Sequence, residues 1–285
     1  MSSTHTLLCL DAGNTRVKWA LVSVASVQGG LLELARTEKQ AMPAAPVFTI
    51  LSEGAVDSAL YKNPDTLPDQ IESLLHADRL RSVSQVLLCN VLGDSVRQAI
   101  EQACRKADRP CDTLTVSDLD WIVSKYENPR QLGLDRWAAC LAVAGETKAQ
   151  GNLVVGFGTA TTMDALVKQG GRWVHWGGFI APGVSTMLGS LHLSTAQLPL
   201  VGPSYQSWPT STEQAIGAGA VRMQTAMVQS LMEELQADVS GDVQVWFSGG
   251  HAGDVSPAFP KAIALDHAVF KGLLLDFSHR NRGQP

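Results

Sequence analysis

The sequence has little that would suit a membrane, a nucleic acid or a metal cluster. It lacks any run near the roughly 18 consecutive apolar residues that a spanning helix needs, and its first residues lack the basic start of a signal peptide. The 22 Lys and Arg residues are fewer than the 27 Asp and Glu residues and form no cluster. Nucleic acid is therefore not an expected partner. The seven histidines show no HExxH-like spacing, and no protein-bound metal is predicted from them.

Paired cysteines and abundant charge are also missing. The five cysteines form no CxxC pair and their number is odd, which is typical of scattered thiols in a reducing cytosol and predicts a cytoplasmic protein. Charged residues make up 17% of the 285 positions, below the roughly 25% usual for soluble domains. The low charge indicates extra buried surface, such as a subunit interface.

What the sequence does contain is one pattern of strands and turns that occurs twice. The first copy consists of strands at 6–12, 16–24 and 31–36 with a turn at 13–15. The second copy consists of strands at 153–157, 163–167 and 172–183 with a turn at 158–162. Two copies of one pattern favour a duplicated two-lobe architecture, although independent β-meanders would look similar.

The remaining segments alternate between strands and helices, which predicts the α/β class. Strands are expected at 82–91, 111–117 and 242–250, and helices at 93–106, 134–149, 210–235 and 266–277. The third of these helices begins at the capping box Thr210-Ser211-Thr212-Glu213. Residues 36–70 are Pro-rich and poorly periodic, and no strand or helix is assigned to them from the sequence. We expect an N-terminal lobe at 1–125 and a C-terminal lobe at 126–285.

The first turn carries residues suited to a magnesium–phosphate group: Asp11, Ala12, Gly13, Asn14, Thr15, Arg16, Val17 and Lys18. A carboxylate at the end of a strand can hold the metal or its waters. A glycine lets the backbone approach a phosphate, and N–H and hydroxyl groups donate to its oxygens. The turn taken alone fits a plain β-turn with an Asx cap equally well.

The second turn, Gly158 to Thr162, is rich in hydroxyls and occupies the matching place in the second copy. Taken alone, its hydroxyls also fit the solvation of a tight hairpin. Two such turns facing each other across a cleft would grip the phosphates of one nucleotide from both sides. A further glycine pair, Gly249-Gly250, ends a predicted strand. It would let a flat base lie against the backbone, or it simply terminates the strand.

Asp135 begins the helix predicted at 134–149. It is either an N-cap, which stabilises a helix by roughly 0.5–2 kcal/mol, or a carboxylate that accepts a hydroxyl proton during phosphoryl transfer. Arg136 beside it would then orient an anion. The residue types alone leave both alternatives open.

Taken in order, the segments DAGNTRVK, YENPRQLGLDRWAA, GTATT, GGFIAPG, STAQLPLV and FSGG resemble those of a type III pantothenate kinase. The resemblance covers nearly the whole chain and is weakest at 36–80. It implies the duplicated acetate and sugar kinase/Hsp70/actin (ribonuclease H-like) fold. The activity it implies is ATP-dependent phosphorylation of pantothenate to 4′-phosphopantothenate, the first step of coenzyme A biosynthesis.

The resemblance also implies roles for single residues. Residues 11–18 and Thr159 match ATP-binding positions, and Asp135 matches the catalytic base. The substrate positions are Tyr126, Gly133, Leu134, Asp135, Arg136 and Thr195. It further implies magnesium, a monovalent cation such as potassium or ammonium, and a homodimer with pantothenate bound near the subunit interface.

One position departs from the family pattern. The family usually has an aspartate two residues before the second Gly-Thr, as the ligand of the monovalent cation, and this chain has Gly156. Without that carboxylate the cation must rely on carbonyls and water, so no metal ligand is assigned here. The departure keeps an alternative open, namely a non-catalytic regulator of the same fold that senses a nucleotide or metabolite.

Overall fold

The computed structural model describes residues 4–25 and 46–281. These residues form two compact units, each built around its own mixed sheet. Unit 1 comprises the described parts of Met1–Trp121, Asn128–Glu146 and Ala268–Pro285, and unit 2 comprises Ile122–Glu127 and Thr147–His267. The boundary between lobes at residues 125 and 126 stays a prediction.

The bounds of the elements are as follows. The strands are β1 Thr4–Ala12, β2 Arg16–Ala25, β3 Phe48–Asp57, β4 Gln85–Asn90, β5 Cys111–Thr113, β6 Ile122–Ser124, β7 Gly151–Phe157, β8 Ala160–Gln169, β9 Arg172–Pro182, β10 Val243–Ser248 and β11 Ile263–Ala264. The α-helices are α1 Leu67–Leu75, α2 Ala77–Arg81, α3 Asp94–Lys106, α4 Leu134–Glu146, α5 Val184–Ser194, α6 Thr212–Asp238, α7 Ala252–Val255 and α8 Ala268–Arg280.

Most of the predicted strands and helices are confirmed, with ends shifted by a few residues. The strand expected at 111–117 is an exception, because β5 already ends at Thr113. The strand predicted at 31–36 lies outside the described residues. The region 36–70 contains β3 and the start of α1 in its described part, which its weak periodicity did not predict.

The two sheets share one topology. In unit 1 the strand order is β3-β2-β1-β4-β5, in which the pairs β3–β2 and β2–β1 are antiparallel and β4 and β5 run parallel to β1. In unit 2 the order β9-β8-β7-β10-β11 repeats these directions, and β6 is added parallel to β9 at the edge. Both copies also shift register within their second strand. The duplicated pattern expected from the sequence is confirmed.

Alternation along β1 divides its side chains between two faces of the sheet in unit 1. Leu8, Leu10 and Ala12 belong to the apolar core formed with α1 and α3. The intervening residues Cys9 and Asp11 point the opposite way, to the face where α4 and α8 contact the sheet. Both side chains are buried there. Asp11 therefore lies on the same side of the sheet as α4.

Helices α4 and α8 approach closely at Gly272, where an added Cβ would overlap with the main chain of Ala138. We expect Gly272→Ala to lower the free energy of unfolding by about 1–3 kcal/mol, because one helix must move to admit the methyl group. Urea denaturation measures this change. Gly219→Ala in α6 is the matched control, since a Cβ there meets nothing within 4 Å. It should be neutral or stabilising by up to about 1 kcal/mol, and equal losses in the two variants would contradict the packing argument.

In unit 2 the main core lies between the sheet and the long helix α6. The N-cap of this helix lies one residue after the N-cap of the predicted capping box. Ser211 is the N-cap, and its hydroxyl accepts the Gln214 N–H at 3.3 Å, while the Gln214 side chain accepts the Thr210 N–H at 3.3 Å. The box predicted at 210–213 is therefore wrong by one position, because the side chain that reaches back belongs to Gln214 and not to Glu213.

Candidate active site

The first hairpin turn joins β1 to β2 in unit 1. The Gly13 N–H donates to the Arg16 carbonyl across the turn at 3.1 Å. Asp11 precedes the turn and Lys18 follows it, directly opposite in register. Lys18 Nζ lies 3.7 Å from Asp11 Oδ2. The hairpin thus holds an acidic and a basic group together at its base.

Within the predicted ATP loop, only some side chains are able to reach a ligand. Ala12 and Val17 are fully buried in the core, so only their main chain is available for binding. Asn14, Thr15 and Arg16 are exposed. The loop therefore offers exposed polar side chains at its tip and backbone groups at its sides, as a phosphate-binding turn requires.

The tip of this turn is supported from the 3-10 turn after β3. Ser58 donates through its hydroxyl to the Asn14 carbonyl and through its N–H to the Thr15 carbonyl. Lys62 Nζ also donates to the Asn14 carbonyl, at 3.2 Å. Neither supporting residue is predictable from the sequence, because both follow the loop by more than 40 positions in a segment without clear periodicity.

The carboxyl group of Asp11 is 6% exposed, and this burial raises its pKa to about 6. Lys18 acts in the opposite direction, and the negative charge of Asp135 raises the pKa of Asp11 further. A carboxylate that is costly to ionise when alone is well suited to a cation, since a positive charge beside it restores the ionised form.

Asp135 is the second residue of α4. The Gly133 carbonyl accepts the Trp137 N–H at 3.0 Å, so Gly133 occupies the N-cap position and the N-cap interpretation of Asp135 is wrong. Asp135 Oδ1 instead accepts the Arg136 N–H at 2.9 Å, which still satisfies one donor of the first turn. An added Cβ at Gly133 would lie 2.8 Å from Asp135 Oδ1, so glycine leaves room for the carboxylate.

Asp11 and Asp135 act on the same surroundings in unit 1. Besides their mutual effect, both raise the pKa of the Cys89 thiol, which burial already places well above its usual range. Cys89 is the partner of Asp11 across β1 and β4. The structure therefore brings the first hairpin and the start of α4 together, although they are more than 100 residues apart in the chain.

The neighbours of Asp135 that the sequence assigned to the substrate have different environments. Leu134 is half-buried, and Arg136 is only 5% exposed. Burial of a guanidinium is costly unless it is paired with polar or charged groups. Arg136 therefore contributes a buried positive charge to unit 1.

The second hairpin turn joins β7 to β8 in unit 2. The Gly158 N–H donates to the Ala160 carbonyl at 3.1 Å, as in the first hairpin, and Thr159 is exposed at the tip. The Thr159 carbonyl accepts the Gly183 N–H at 3.0 Å and the Thr186 hydroxyl at 2.6 Å. The start of α5 thus supports this turn.

Backbone segments approach the second hairpin so closely that only glycine fits. A Cβ at Gly183 would overlap with the Gly158 carbonyl, and one at Gly249 would overlap with the Phe157 carbonyl. Gly249 also has a φ of 94°, a conformation that side chains disfavour. β10 ends at Ser248, directly before Gly249, which agrees with strand termination. The role of Gly249 in admitting a flat base stays a prediction.

Gly156 lies on β7 next to hydroxyl groups on both neighbouring strands. Its partners in register are Thr162 on β8 and Ser248 on β10. An added Cβ would lie 3.0 Å from Thr162 Oγ1 and 3.7 Å from Ser248 Oγ. The surroundings of this position are therefore polar oxygens, although the position itself lacks a side chain.

The other two predicted substrate residues belong to unit 2. The Tyr126 ring stacks on His175 with 5.6 Å between centroids. His175 is fully buried and bonds to Asp164 at 2.7 Å and to Ser124 at 2.9 Å. This network has no signature in the sequence, because its members lie on separate strands. Thr195 is exposed at the end of α5, and its hydroxyl donates to the Leu191 carbonyl at 2.8 Å.

Within residues 4–25 and 46–281, no helix has the combination of length and apolar character that crossing a bilayer requires.

The fold resembles those of solved structures at low sequence identity. A Campylobacter jejuni protein described as a conserved Baf family transcriptional activator has a TM-score of 0.56 at 16% identity, over 96% of this chain and 99% of the other. An Aquifex aeolicus member of the Ppx/GppA family has a TM-score of 0.52 at 12% identity, over 99% and 100%. The α/β fold of the acetate and sugar kinase/Hsp70/actin group is confirmed.

Sequence relatives are more specific. The Type III pantothenate kinase of Janthinobacterium sp. (strain Marseille) is 32% identical over 279 residues, with 94% of each chain covered. That of Acidovorax ebreus (strain TPSY) is 28% identical over 277 residues, covering 94% of this chain and 95% of the relative. A family model for Type III pantothenate kinase matches residues 7–234. The chain therefore belongs to the type III pantothenate kinase family, whose ATP-dependent enzymes phosphorylate pantothenate in coenzyme A biosynthesis.

Proposed function

We propose that this kinase transfers the γ-phosphoryl group of ATP to pantothenate with Asp135 as the general base. The observation that carries the proposal is that Asp11 and Asp135 lie on one side of the sheet in unit 1. The charge of Asp135 raises the pKa of Asp11, and both charges raise the pKa of the buried Cys89 thiol. Phosphoryl transfer needs one carboxylate near the metal–phosphate group and another near the attacking hydroxyl. These two residues suit those two tasks.

Residues 11–18 and Thr159 are the proposed ATP contacts. Main-chain groups of the first hairpin and the exposed side chains at its tip donate to phosphate oxygens, and Lys18 supplies positive charge. Asp11 would hold Mg²⁺ directly or through water. Asp11 fits this role because burial raises its pKa to about 6, and a bound cation would stabilise its ionised form. Bound magnesium would neutralise the charge that develops on the phosphates.

At the acceptor side, Asp135 takes the proton from the primary hydroxyl of pantothenate. The Arg136 N–H holds one carboxylate oxygen at 2.9 Å, which fixes the rotation of the side chain. Tyr126, Gly133, Leu134, Arg136 and Thr195 are the proposed substrate contacts. Arg136 is suited to an anionic group, and pantothenate carries a carboxylate.

The monovalent cation is proposed to meet neutral oxygens near Gly156. The hydroxyls of Thr162 and Ser248 flank this position, and potassium is well coordinated by hydroxyl, carbonyl and water oxygens. With no carboxylate at residue 156, the cation would bind more weakly than with one.

The test of the function is formation of 4′-phosphopantothenate from ATP, Mg²⁺ and pantothenate over a series of potassium and ammonium concentrations. Sodium chloride keeps the ionic strength constant. The kinase predicts turnover, whereas a nucleotide-sensing regulator predicts ATP binding with no product under any cation.

Gly156→Asp is expected to lower the potassium concentration that gives half-maximal turnover by about tenfold, since one added charge interaction of roughly 1–2 kcal/mol corresponds to that factor. The new side chain must displace Thr162 Oγ1 slightly, because the Cβ approaches it to 3.0 Å. Gly156→Asn is the matched control of nearly equal size without the charge. An unchanged cation requirement in both variants would show that the cation does not bind at this position.

A homodimer is proposed on the basis of exposed apolar side chains in unit 2. The large ones between residues 179 and 208 are Phe179, Ile180, Leu191, Leu193, Leu200, Tyr205 and Trp208. We propose this stretch as the dimer surface, because large exposed apolar patches mark interaction surfaces. Thr195 follows Leu193 closely, which agrees with pantothenate bound near the interface.

A cytoplasmic location is proposed from the five free thiols, which suit a reducing compartment.

The dimer is testable by light scattering after gel filtration. Leu193 is 86% exposed and Val47, in unit 1, is 81% exposed. We expect Leu193→Glu to convert a dimer into a monomer of 30.4 kDa, because a charge must then be buried. Val47→Glu should leave the dimer intact. A monomer in the wild-type protein would exclude this assembly.

A further inference from the structure

Three side chains near the second hairpin form a hydrogen-bonded chain that the kinase mechanism does not use. Ser185 Oγ lies 2.7 Å from His251 Nε2, and His251 Nδ1 lies 2.7 Å from Asp254 Oδ2. All three belong to unit 2. Ser185 is exposed, and the other two side chains are about a third exposed, at 30% and 31%.

The order of these bonds defines which ring nitrogen carries the proton when the imidazole is neutral. An ionised carboxylate only accepts hydrogen bonds, so Nδ1 of His251 carries the proton that it donates to Asp254. In the neutral imidazole, Nε2 then presents a lone pair and accepts a hydrogen bond from the Ser185 hydroxyl. A serine bonded to a base that a carboxylate orients is the arrangement that activates a hydroxyl as a nucleophile.

The three hydrogen-bonded side chains also lie beside the turn that is proposed to hold phosphates. The first turn of α5, which contains Ser185, bonds to the Thr159 carbonyl through Gly183 and Thr186. On the other side, the His251 N–H donates to the Phe157 carbonyl at 3.3 Å. Both Ser185 and His251 thus belong to segments anchored on residues 157–159.

The position of Ser185 within α5 favours an anionic product. It is the second residue of an eleven-residue helix, and its N–H is among the first N–H groups of that helix, which have no intrahelical acceptor. The positive end of the helix dipole stabilises negative charge at this place. A phosphate on the Ser185 hydroxyl would lie at this end.

We propose that Ser185 is a phosphoryl-acceptor site, modified by the chain itself with ATP bound at the second hairpin. The inference rests on the proposed ATP contacts of that hairpin. Ser185 Oγ forms a bond to the γ-phosphorus, the bond from that phosphorus to the bridging oxygen of ADP breaks, and the hydroxyl proton passes to His251 Nε2. The products are phosphoserine and ADP, and His251 returns its proton to water.

The modification would regulate the kinase. A phosphoserine carries about −1.5 to −2 charges at neutral pH. Placed in a segment bonded to Thr159, this charge repels the triphosphate of a second ATP. Phosphorylation of Ser185 therefore weakens ATP binding without altering Asp135.

The experiment uses the full chain with ATP and Mg²⁺ in the absence of pantothenate, followed by intact mass measurement and peptide mapping. We expect a gain of one HPO₃ on Ser185. The gain should disappear in Ser185→Ala and fall at least tenfold in His251→Gln and Asp254→Asn. Ser190→Ala, which removes another exposed serine hydroxyl of α5, should keep it. Turnover of pantothenate is measured on a portion of the same wild-type preparation that has not been incubated with ATP.

A second reagent tests the serine independently of ATP. A fluorophosphonate probe supplies a phosphorus electrophile with fluoride as leaving group, and it should label Ser185 in the wild type but not in His251→Gln. If pantothenate is phosphorylated while Ser185 gains no HPO₃, the acceptor proposal is overturned and the kinase function stands. If the probe labels Ser185 but pantothenate is not phosphorylated, the proposed function fails and the activation of Ser185 is supported. If neither reagent modifies Ser185, the site is excluded.

Discussion

Asp135→Asn is expected to lower the turnover of pantothenate by about 10²–10⁴-fold, the loss typical of a missing general base. The amide is nearly the same size, and its oxygen is still able to accept the Arg136 N–H that Asp135 Oδ1 accepts at 2.9 Å. The start of α4 should therefore be preserved, and ATP affinity should change little. Initial rates with saturating ATP give the turnover, and calorimetric titration gives the ATP affinity.

The matched control is Asp94→Asn, which alters another acidic residue in the first turn of a helix in unit 1. It should lower stability slightly through its lost ion pair with Arg97 and leave turnover unchanged. If Asp135→Asn lowers only the melting temperature and turnover persists, Asp135 serves the helix start and another group accepts the proton.

Asp11→Asn is expected to change stability and activity in opposite directions. Burial raises the pKa of Asp11 from its ordinary 3.8 to about 6, so the folded protein at neutral pH contains a carboxylate that is costly to ionise. At roughly 1.4 kcal/mol per pKa unit, this rise in pKa lowers the free energy of unfolding of the wild type by an amount on the order of 3 kcal/mol. The neutral amide avoids the cost but also loses the proposed contact with magnesium, so Mg²⁺–ATP use should fall.

The pH dependence tests the same argument. Because the folded chain binds this proton more tightly than the unfolded chain, the wild type loses stability through Asp11 as the pH rises from about 4 to about 6. The excess stability of Asp11→Asn should be complete above this range and should vanish below it. Melting curves from pH 3.5 to 8 measure the difference.

Asp276→Asn provides the control for Asp11→Asn. Asp276 is also a buried carboxyl group of unit 1 whose pKa burial raises, and it has no place in the proposed site. It should leave turnover unchanged whatever its effect on melting. Stability of Asp11→Asn below that of the wild type at pH 7.5 would show that ionised Asp11 is stabilised by its neighbours, with Lys18 outweighing burial.

Much of the fold was predictable because strands are short and turns are marked. The segments at 6–12 and 16–24 alternate or are uniformly apolar around a turn containing Gly13, and this local pattern alone specifies a hairpin. The recurrence of the pattern at Gly158 then predicted the duplicated topology. Positions such as Thr210 were harder, because neighbouring residues are equally good caps and only the folded backbone decides which one acts.

The contacts that join distant segments were not predictable. Ser58 and Lys62 support the first hairpin from a region whose periodicity is weak. The buried bonds of His175 with Asp164 and Ser124 likewise join separate strands. Such contacts depend on register and sheet order, which alternation within one strand does not encode. The roles of Asp135 and of the ATP loop remain predictions that the experiments above will decide.

The division of unit 1 along the chain has a consequence for biosynthesis. Helix α8, which packs against α4 at Gly272, is translated only after the whole of residues 147–267. A nascent chain halted before that point has the segment that bears Asp135 but not the helix that covers it. Unit 1 is therefore completed only at the end of translation. A chain without α8 should expose apolar surface and bind chaperones, and it should not be a partly active enzyme.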